Sequence, residues 1–282
     1  MLQAFFRLLS NLPLSWIHFI GSMVGRLIFL LSPGYASRME ENMRLCGCAR
    51  NEAELRAMLR RASAEAGKGL LELIPVWFRG GGEAAALITC PDWAIAEAAR
   101  AKGRGVIFLT PHMGCFEISA RHCARFMPIT VLYRRPKLAW IEPLMREGRK
   151  FATLAPADLS GVRKLLRALK NGEAVGLLPD QAPGAGEGEW ADFFGRPAYT
   201  MTLAGKLQKA TGAAVLMAFA ERLPGGLGYT LHLEALGDDA ITPETLNRHI
   251  ENMVKKSPEQ YLWSYNRYKV PAGARPKEPT SC

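Results

Sequence analysis

Residues 105–126 read GVIFLTPHMGCFEISARHCARF, and the fold follows from how their character changes along the stretch. Residues 105–109 are an unbroken apolar run, the pattern of a strand covered on both faces of a parallel sheet. Residues 117–126 carry the spacing of a helix. His112 therefore falls in the turn at the carboxyl end of a strand, with Glu117 about one helical turn further on. Open α/β sheets take their ligands in the crevice outside the carboxyl ends of the strands. A histidine with a carboxylate within reach is a ready general base, because the acid fixes the tautomer and stabilises the imidazolium that forms.

On either side the chain alternates. Strands are expected at 129–133, 174–178, 213–219 and 229–233, and helices at 91–102, 139–151, 161–169, 199–211 and 243–256. A longer helix is expected over 51–78, capped by Asn51 with Glu54 three residues on, and ended by Gly80, Gly81 and Gly82. The alternation predicts an α/β fold: a central, mostly parallel sheet flanked by helices. Residues 12–31 read LPLSWIHFIGSMVGRLIFLL, about the length that crosses a bilayer. Arg26 is costly at a bilayer centre, so the segment either spans or lies in the interface with Trp16 and Phe19 as anchors. The arginines that follow, from Arg38 to Arg61, place the rest of the chain in the cytoplasm by the positive-inside tendency. The expected division is a membrane anchor helix over 1–32, an α/β domain over 33–270 and a disordered, proline-rich tail over 271–282.

The net charge of +10 suits an acidic partner, whether nucleic acid, anionic lipid or an acidic protein. No basic stripe with a recognisable nucleic-acid module accompanies it, so nucleic acid is not expected as a partner. The six cysteines lack the spacing of a zinc site. Cys115 and Cys123 fall on an apolar helix face and read as core, and reduced thiols fit a cytoplasmic compartment. Neither a metal nor a cofactor is expected.

Three further islands stand out. Tyr133-Arg134-Arg135-Pro136, with Arg149 on the next helix, offers a clamp for phosphate or carboxylate or else a solvated basic loop. Leu178-Pro179-Asp180-Gln181 delivers an acid at a second strand end, as a site element or as a turn Asp. Behind it a glycine-rich loop, 184–188, leads to aromatics at 190–194 that, if exposed, suit lipid contact. The last island, PEQYLWSYNRYK from Pro258 to Lys269, reads either as a stacking surface for bases or as a packed segment. Cys115, three residues from His112, is a possible thiol nucleophile.

Taken in order, PHMGCFE, YRRPK, LLPDQ, FFGRPAYT and PEQYLWSYNRYK resemble the bacterial lipid A biosynthesis acyltransferases, the late lauroyl and myristoyl transferases of the wider His-x-x-x-x-Asp/Glu family. Glutamate at 117 resembles the lipid A branch, and the arginine after the second motif corresponds to Arg149. Tyr261-Leu262-Trp263-Ser264-Tyr265 departs from the Trp-rich run ending in His-Arg-Arg that the family often carries. The resemblance implies an inner-membrane enzyme facing the cytoplasm that moves a fatty acyl chain from acyl carrier protein to a hydroxyl of a lipid A precursor. His112 would be the base and Glu117 its partner. Arg149, Arg134 or the N–H groups of Gly114 and Cys115 would face the oxyanion, with Arg134 and Arg135 alternatively on acceptor phosphates and Asp180 in the site. The reaction would run in a ternary complex without an acyl-enzyme. Acylation of another glycolipid or a lysophospholipid, and non-catalytic lipid binding at the membrane surface, are the competing readings.

Overall fold

The computed structural model describes residues 2–275. Helices come first: α1 (Leu2–Ser10), α2 (Leu14–Leu31), α3 (Pro33–Cys46), α4 (Glu52–Leu71), α5 (Leu73–Phe78) and the short α6 (Gly81–Ala85). Alternation begins with β1 (Ile88–Thr89), α7 (Trp93–Ala101), β2 (Val106–Leu109), α8 (Phe116–Cys123) and β3 (Ile129–Tyr133). It continues through α9 (Ile141–Gly148), β4 (Thr153–Pro156), α10 (Leu159–Lys170) and β5 (Ala174–Leu177). A hairpin of β6 (Gly188–Phe193) and β7 (Arg196–Met201) leads to α11 (Leu203–Thr211), β8 (Ala214–Arg222), β9 (Tyr229–Ala235) and α12 (Pro243–Lys256).

Seven strands form one sheet in the order β1-β9-β8-β2-β5-β3-β4. Only β8 and β9 pair antiparallel, so the sheet is mostly parallel and flanked by helices, as the alternation predicts. The period-2 pleat divides β2 between two cores. Ile107 and Leu109 join the core under α3, α4 and α10 to α12, while Val106 and Phe108 join the one under α7 and α8.

Several expectations need correction. The helix over 51–78 is two helices, broken at Glu72. Pro75 has no N–H to give the Leu71 carbonyl one turn back, and the freed Glu72 turns inward to a buried ion pair. Asn51 does cap α4, accepting from the Glu54 N–H at 2.9 Å. The expected helix over 199–211 starts as a strand, because residues 196–201 pair with β6 across a two-residue turn. Phe194 and Gly195 both have positive φ, +49° and +72°, the sign pattern of a tight hairpin that follows the natural twist of strands. Phe193 and Phe194 are buried, so these two of the aromatics expected in an exposed loop are core, while Trp190 is half-buried. Of the tail, residues 271–275 are described: Trp190 donates to the Arg275 carbonyl at 2.9 Å. The remainder of that expectation, 276–282, lies outside the described residues.

α2 is built into the fold. Gly21 and Gly25 let its backbone lie directly on α4: a Cβ on Gly25 would stand 2.0 Å from the Ser63 carbonyl oxygen, and one on Gly21 2.8 Å from that of Gly67. The opposite face of α2 exposes Trp16, Phe19, Met23, Leu27, Leu30 and Leu31. Among the described residues α2 is the one helix long and apolar enough to cross a membrane. Cys46 and Cys48, at the end of α3, are disulfide-bonded, against the expectation of reduced thiols throughout; Cys90, Cys115 and Cys123 are free.

Candidate active site

The site forms where two neighbouring parallel strands end. Leu109 of β2 stands opposite Leu177 of β5, and His112 and Asp180 each follow three residues later. Equal offsets from paired positions bring them together. Asp180 Oδ2 accepts from the His112 backbone N–H at 3.0 Å, and Oδ1 lies 2.8 Å from His112 Nδ1. A carboxylate only accepts, so Nδ1 carries the proton and Nε2 presents its lone pair. The Gln181 amide nitrogen lies 3.2 Å from that Nε2, consistent with the same tautomer. Asp180 is buried. Burial pushes its pKa up, but the charge of His112 and the hydrogen bonds from it outweigh burial and hold the carboxyl below its usual range.

The carboxylate in contact with the imidazole is Asp180, in the place where the resemblance implies Glu117. Glu117, on α8, is buried among other partners. Arg149, just past α9, donates to it through Nε at 3.0 Å and also through an Nη, and Trp77 Nε1 donates at 3.0 Å. Trp77 reaches it across Gly148, where a Cβ would stand 2.2 Å from the indole. Burial raises the Glu117 pKa, yet Arg149, Trp77 and the nearby charge of His112 bring it below the ordinary value. Arg149 is thus a forked partner of Glu117 and not an open oxyanion donor.

The turn between His112 and α8 is tied down by its backbone. Gly114 has φ +57°, and a Cβ there would meet the Ala220 carbonyl oxygen at 2.1 Å. Its N–H donates to the Gln260 carbonyl, and that of Cys115 to the Ala220 carbonyl. Both donors expected to face an oxyanion are thus consumed by the fold. The Cys115 thiol is buried, and burial together with the Glu72 carboxylate pushes its pKa well above the ordinary value, which works against a thiolate there.

Arg134 and Arg135 are exposed beyond β3, and Arg135 Nε pairs with Glu142 at 3.0 Å. They border an open cleft of about 500 Å³ with Arg146 and Lys164, and a second of about 750 Å³ adjoins it and reaches Arg149. Neither is lined by His112. The Pro258–Lys269 island is packed rather than a stacking surface: Tyr261, Trp263 and Arg267 are buried, and the Tyr261 hydroxyl reaches Asp180. The His122 ring packs edge-on to Trp93, and burial lowers its pKa to about 4. Sequence reasoning did not single out Gln181 for a role, nor Glu72 and Arg222, a buried pair beneath the turn. Asp180 stood out as an acid at the end of a second buried strand; the matching Leu-x-Pro-His and Leu-x-Pro-Asp strand ends at 109–112 and 177–180 are a signal that could have paired it with His112, whereas nothing local marks Arg222.

Residues 1–270 match the family model of the bacterial lipid A biosynthesis acyltransferases. The lipid A biosynthesis lauroyltransferase of Escherichia coli K12 is 26% identical over 270 residues, covering 93% of this chain and 88% of that protein. The palmitoleoyltransferase of the same organism is 26% identical over 266 residues, covering 92% and 87%, and its myristoyltransferase is 26% identical over 258, covering 86% and 77%. A match across nearly the whole length places this chain in the bacterial lipid A biosynthesis acyltransferase family, as an O-acyltransferase.

Proposed function

We propose that this protein transfers a fatty acyl chain from acyl carrier protein to a hydroxyl of a lipid A precursor, with His112 as general base. The observation that carries the mechanism is the His112 Nδ1 to Asp180 contact at 2.8 Å, which leaves Nε2 as the basic atom. An alcohol is far too weak an acid to ionise near neutrality, so its proton must leave as its oxygen attacks. Nε2 takes that proton while the oxygen bonds to the thioester carbonyl carbon. When the tetrahedral intermediate collapses, the C–S bond breaks and the imidazolium returns the proton to the departing thiolate. Such a base contributes about 10²–10⁴-fold to the rate. Asp180 stabilises the transient imidazolium, and the Glu117 charge adds to it. With Cys115 protonated and turned toward Glu72, transfer is direct, in a ternary complex. Gln181, whose amide stands at the reacting nitrogen, can donate to the oxyanion once the acceptor hydroxyl occupies Nε2. Arg134 and Arg135 bind the anionic groups of the acceptor.

The exposed apolar face of α2 enters the bilayer surface, at the cytoplasmic side of the inner membrane. The net charge of +10 draws both an acidic carrier and anionic lipid. The test is acyl transfer in detergent micelles, with a tetra-acylated lipid A precursor bearing Kdo sugars and a panel of acyl carrier protein thioesters. Product from this acceptor supports the reading. Product only from a lysophospholipid moves the activity to another acceptor, and none from any pair leaves a lipid-binding protein.

A further inference from the structure

Beneath the His112 turn lies a buried ionic cluster that the proposed chemistry does not use. Arg222, the last residue of β8, is only 5% exposed. It donates to Glu72 through Nε at 2.8 Å and Nη2 at 2.5 Å, to Glu65 through Nη1 at 2.5 Å, and to the Gly114 carbonyl through Nη2 at 3.1 Å. Glu72 also takes the Tyr229 hydroxyl at 3.0 Å and stands 3.2 Å from His18 Nε2 on α2. Burial raises the Glu72 pKa, but Arg222 and His18 overcome it and hold the carboxyl well below the usual range. Gln260 clasps the Arg222 backbone from both sides, accepting its N–H at 2.9 Å and donating to its carbonyl at 3.0 Å.

A buried ion pair is weak evidence for stability, since apolar replacements of similar size often do as well. What this cluster supplies is direction. Gly114 is two residues from His112, its φ is left-handed, and its two backbone polar groups are fixed on different elements: the N–H on Gln260 and the carbonyl on Arg222. The Leu262 N–H holds the His112 carbonyl at 3.0 Å. Arg222 therefore supports the far side of the turn whose near side presents the imidazole to Asp180. We propose that Arg222, oriented by the Glu72 fork, is a positioning residue that fixes the His112 turn. Through His18 the same carboxylate connects the turn to the helix whose outer face is apolar.

This inference rests on His112 being the base, and its test separates the two. Arg222→Lys keeps the charge opposite Glu72 but loses the planar fork and with it the Gly114 contact. Arg222→Met combined with Glu72→Gln removes the pair without leaving a lone charge between them. Both are compared with wild type and His112→Gln in the same transfer assay, at equal amounts of folded protein by circular dichroism. The expected result is a loss in kcat on the order of 10²-fold, the size that a reacting group misplaced by about 1 Å produces. KM for donor and acceptor stays near wild type, and the acid limb of the kcat/KM profile moves as the His112 to Asp180 contact loosens. Wild-type kcat and an unmoved pH profile in a folded variant, with His112→Gln inactive, overturn the positioning role alone. Full activity in His112→Gln overturns the reading beneath it. Should the lysine variant not fold, the double variant decides.

Discussion

Asp180→Asn is the sharpest perturbation this site allows, because the amide fits where the carboxylate sits. The Asp180 oxygen that accepts from the His112 backbone N–H at 3.0 Å is replaced by the amide oxygen, which accepts as well. The oxygen 2.8 Å from Nδ1 is replaced by the amide nitrogen, which can only donate. The ring keeps its place but must offer Nδ1 as an acceptor, so its proton moves to Nε2 and the base is lost. The matching substitution in a histidine-dependent acyl-transfer site lowers kcat about 10⁴-fold, or about 5.4 kcal/mol at 1.36 kcal/mol per tenfold. The same order is expected here, with KM near wild type and a folded enzyme. Asp180→Ala frees the ring to sample either tautomer, so it is expected to be no less active than the asparagine variant although it leaves a void. Initial-rate acyl transfer read by mass spectrometry of the lipid product measures both. An asparagine variant that keeps more than about a tenth of wild-type kcat, within the tenfold-per-1.36 kcal/mol scale, refutes the tautomer argument.

Other consequences follow from the same contacts. Glu117→Ala leaves Arg149 buried with no carboxylate and costs about 3–5 kcal/mol of stability, read by urea unfolding; an unchanged midpoint would show that the pair is not structural. Glu72, Glu117 and Asp180 all have folded-state pKa values below their ordinary ones. The folded chain then binds fewer protons than the unfolded one, so their stabilisation is complete above the ordinary carboxylate range and fades as pH falls through the lowered values, for Glu72 from 4.5 toward about 2. Acid titration of thermal stability should show this fall, and a shallower one in Glu72→Gln. Gly25→Leu forces α2 off α4 and costs about 1–3 kcal/mol, whereas Gly34→Ala, with nothing within 4 Å of the new Cβ, is neutral or slightly stabilising. Cys115→Ala retains acyl transfer, since the thiol is buried in the core; its inactivity, in a folded variant, would favour the covalent route.

Much of the fold was open to reading because parallel strands covered on both faces show as plain apolar runs, as at 106–109 and 174–177. Misreadings arose where local pattern and tertiary partner disagree. The hairpin turn carries Phe194 at a left-handed position where asparagine or glycine would announce it. Residues 196–201 look helical until β6 is beside them. Glu117 lies five residues from His112, and proximity along the chain suggested the pairing, yet helix α8 carries its side chain toward Arg149 and Trp77. Asp180, 68 residues away, needed the β2–β5 pairing before its contact with His112 could be seen. Arg222 and Glu72 are 150 residues apart, and no periodicity relates positions that meet only through β8 and the break between α4 and α5.

The central claim is that His112 removes the acceptor proton directly. It is tested by single-turnover acyl transfer with wild type and His112→Gln at saturating thioester and lipid A precursor, with intact-protein mass recorded at each time point. The account predicts acylated lipid from wild type, near-complete loss in His112→Gln and no protein mass increased by an acyl group at any time. Full turnover by the glutamine variant, or an acyl-enzyme that forms and decays at the rate of product formation, would contradict it.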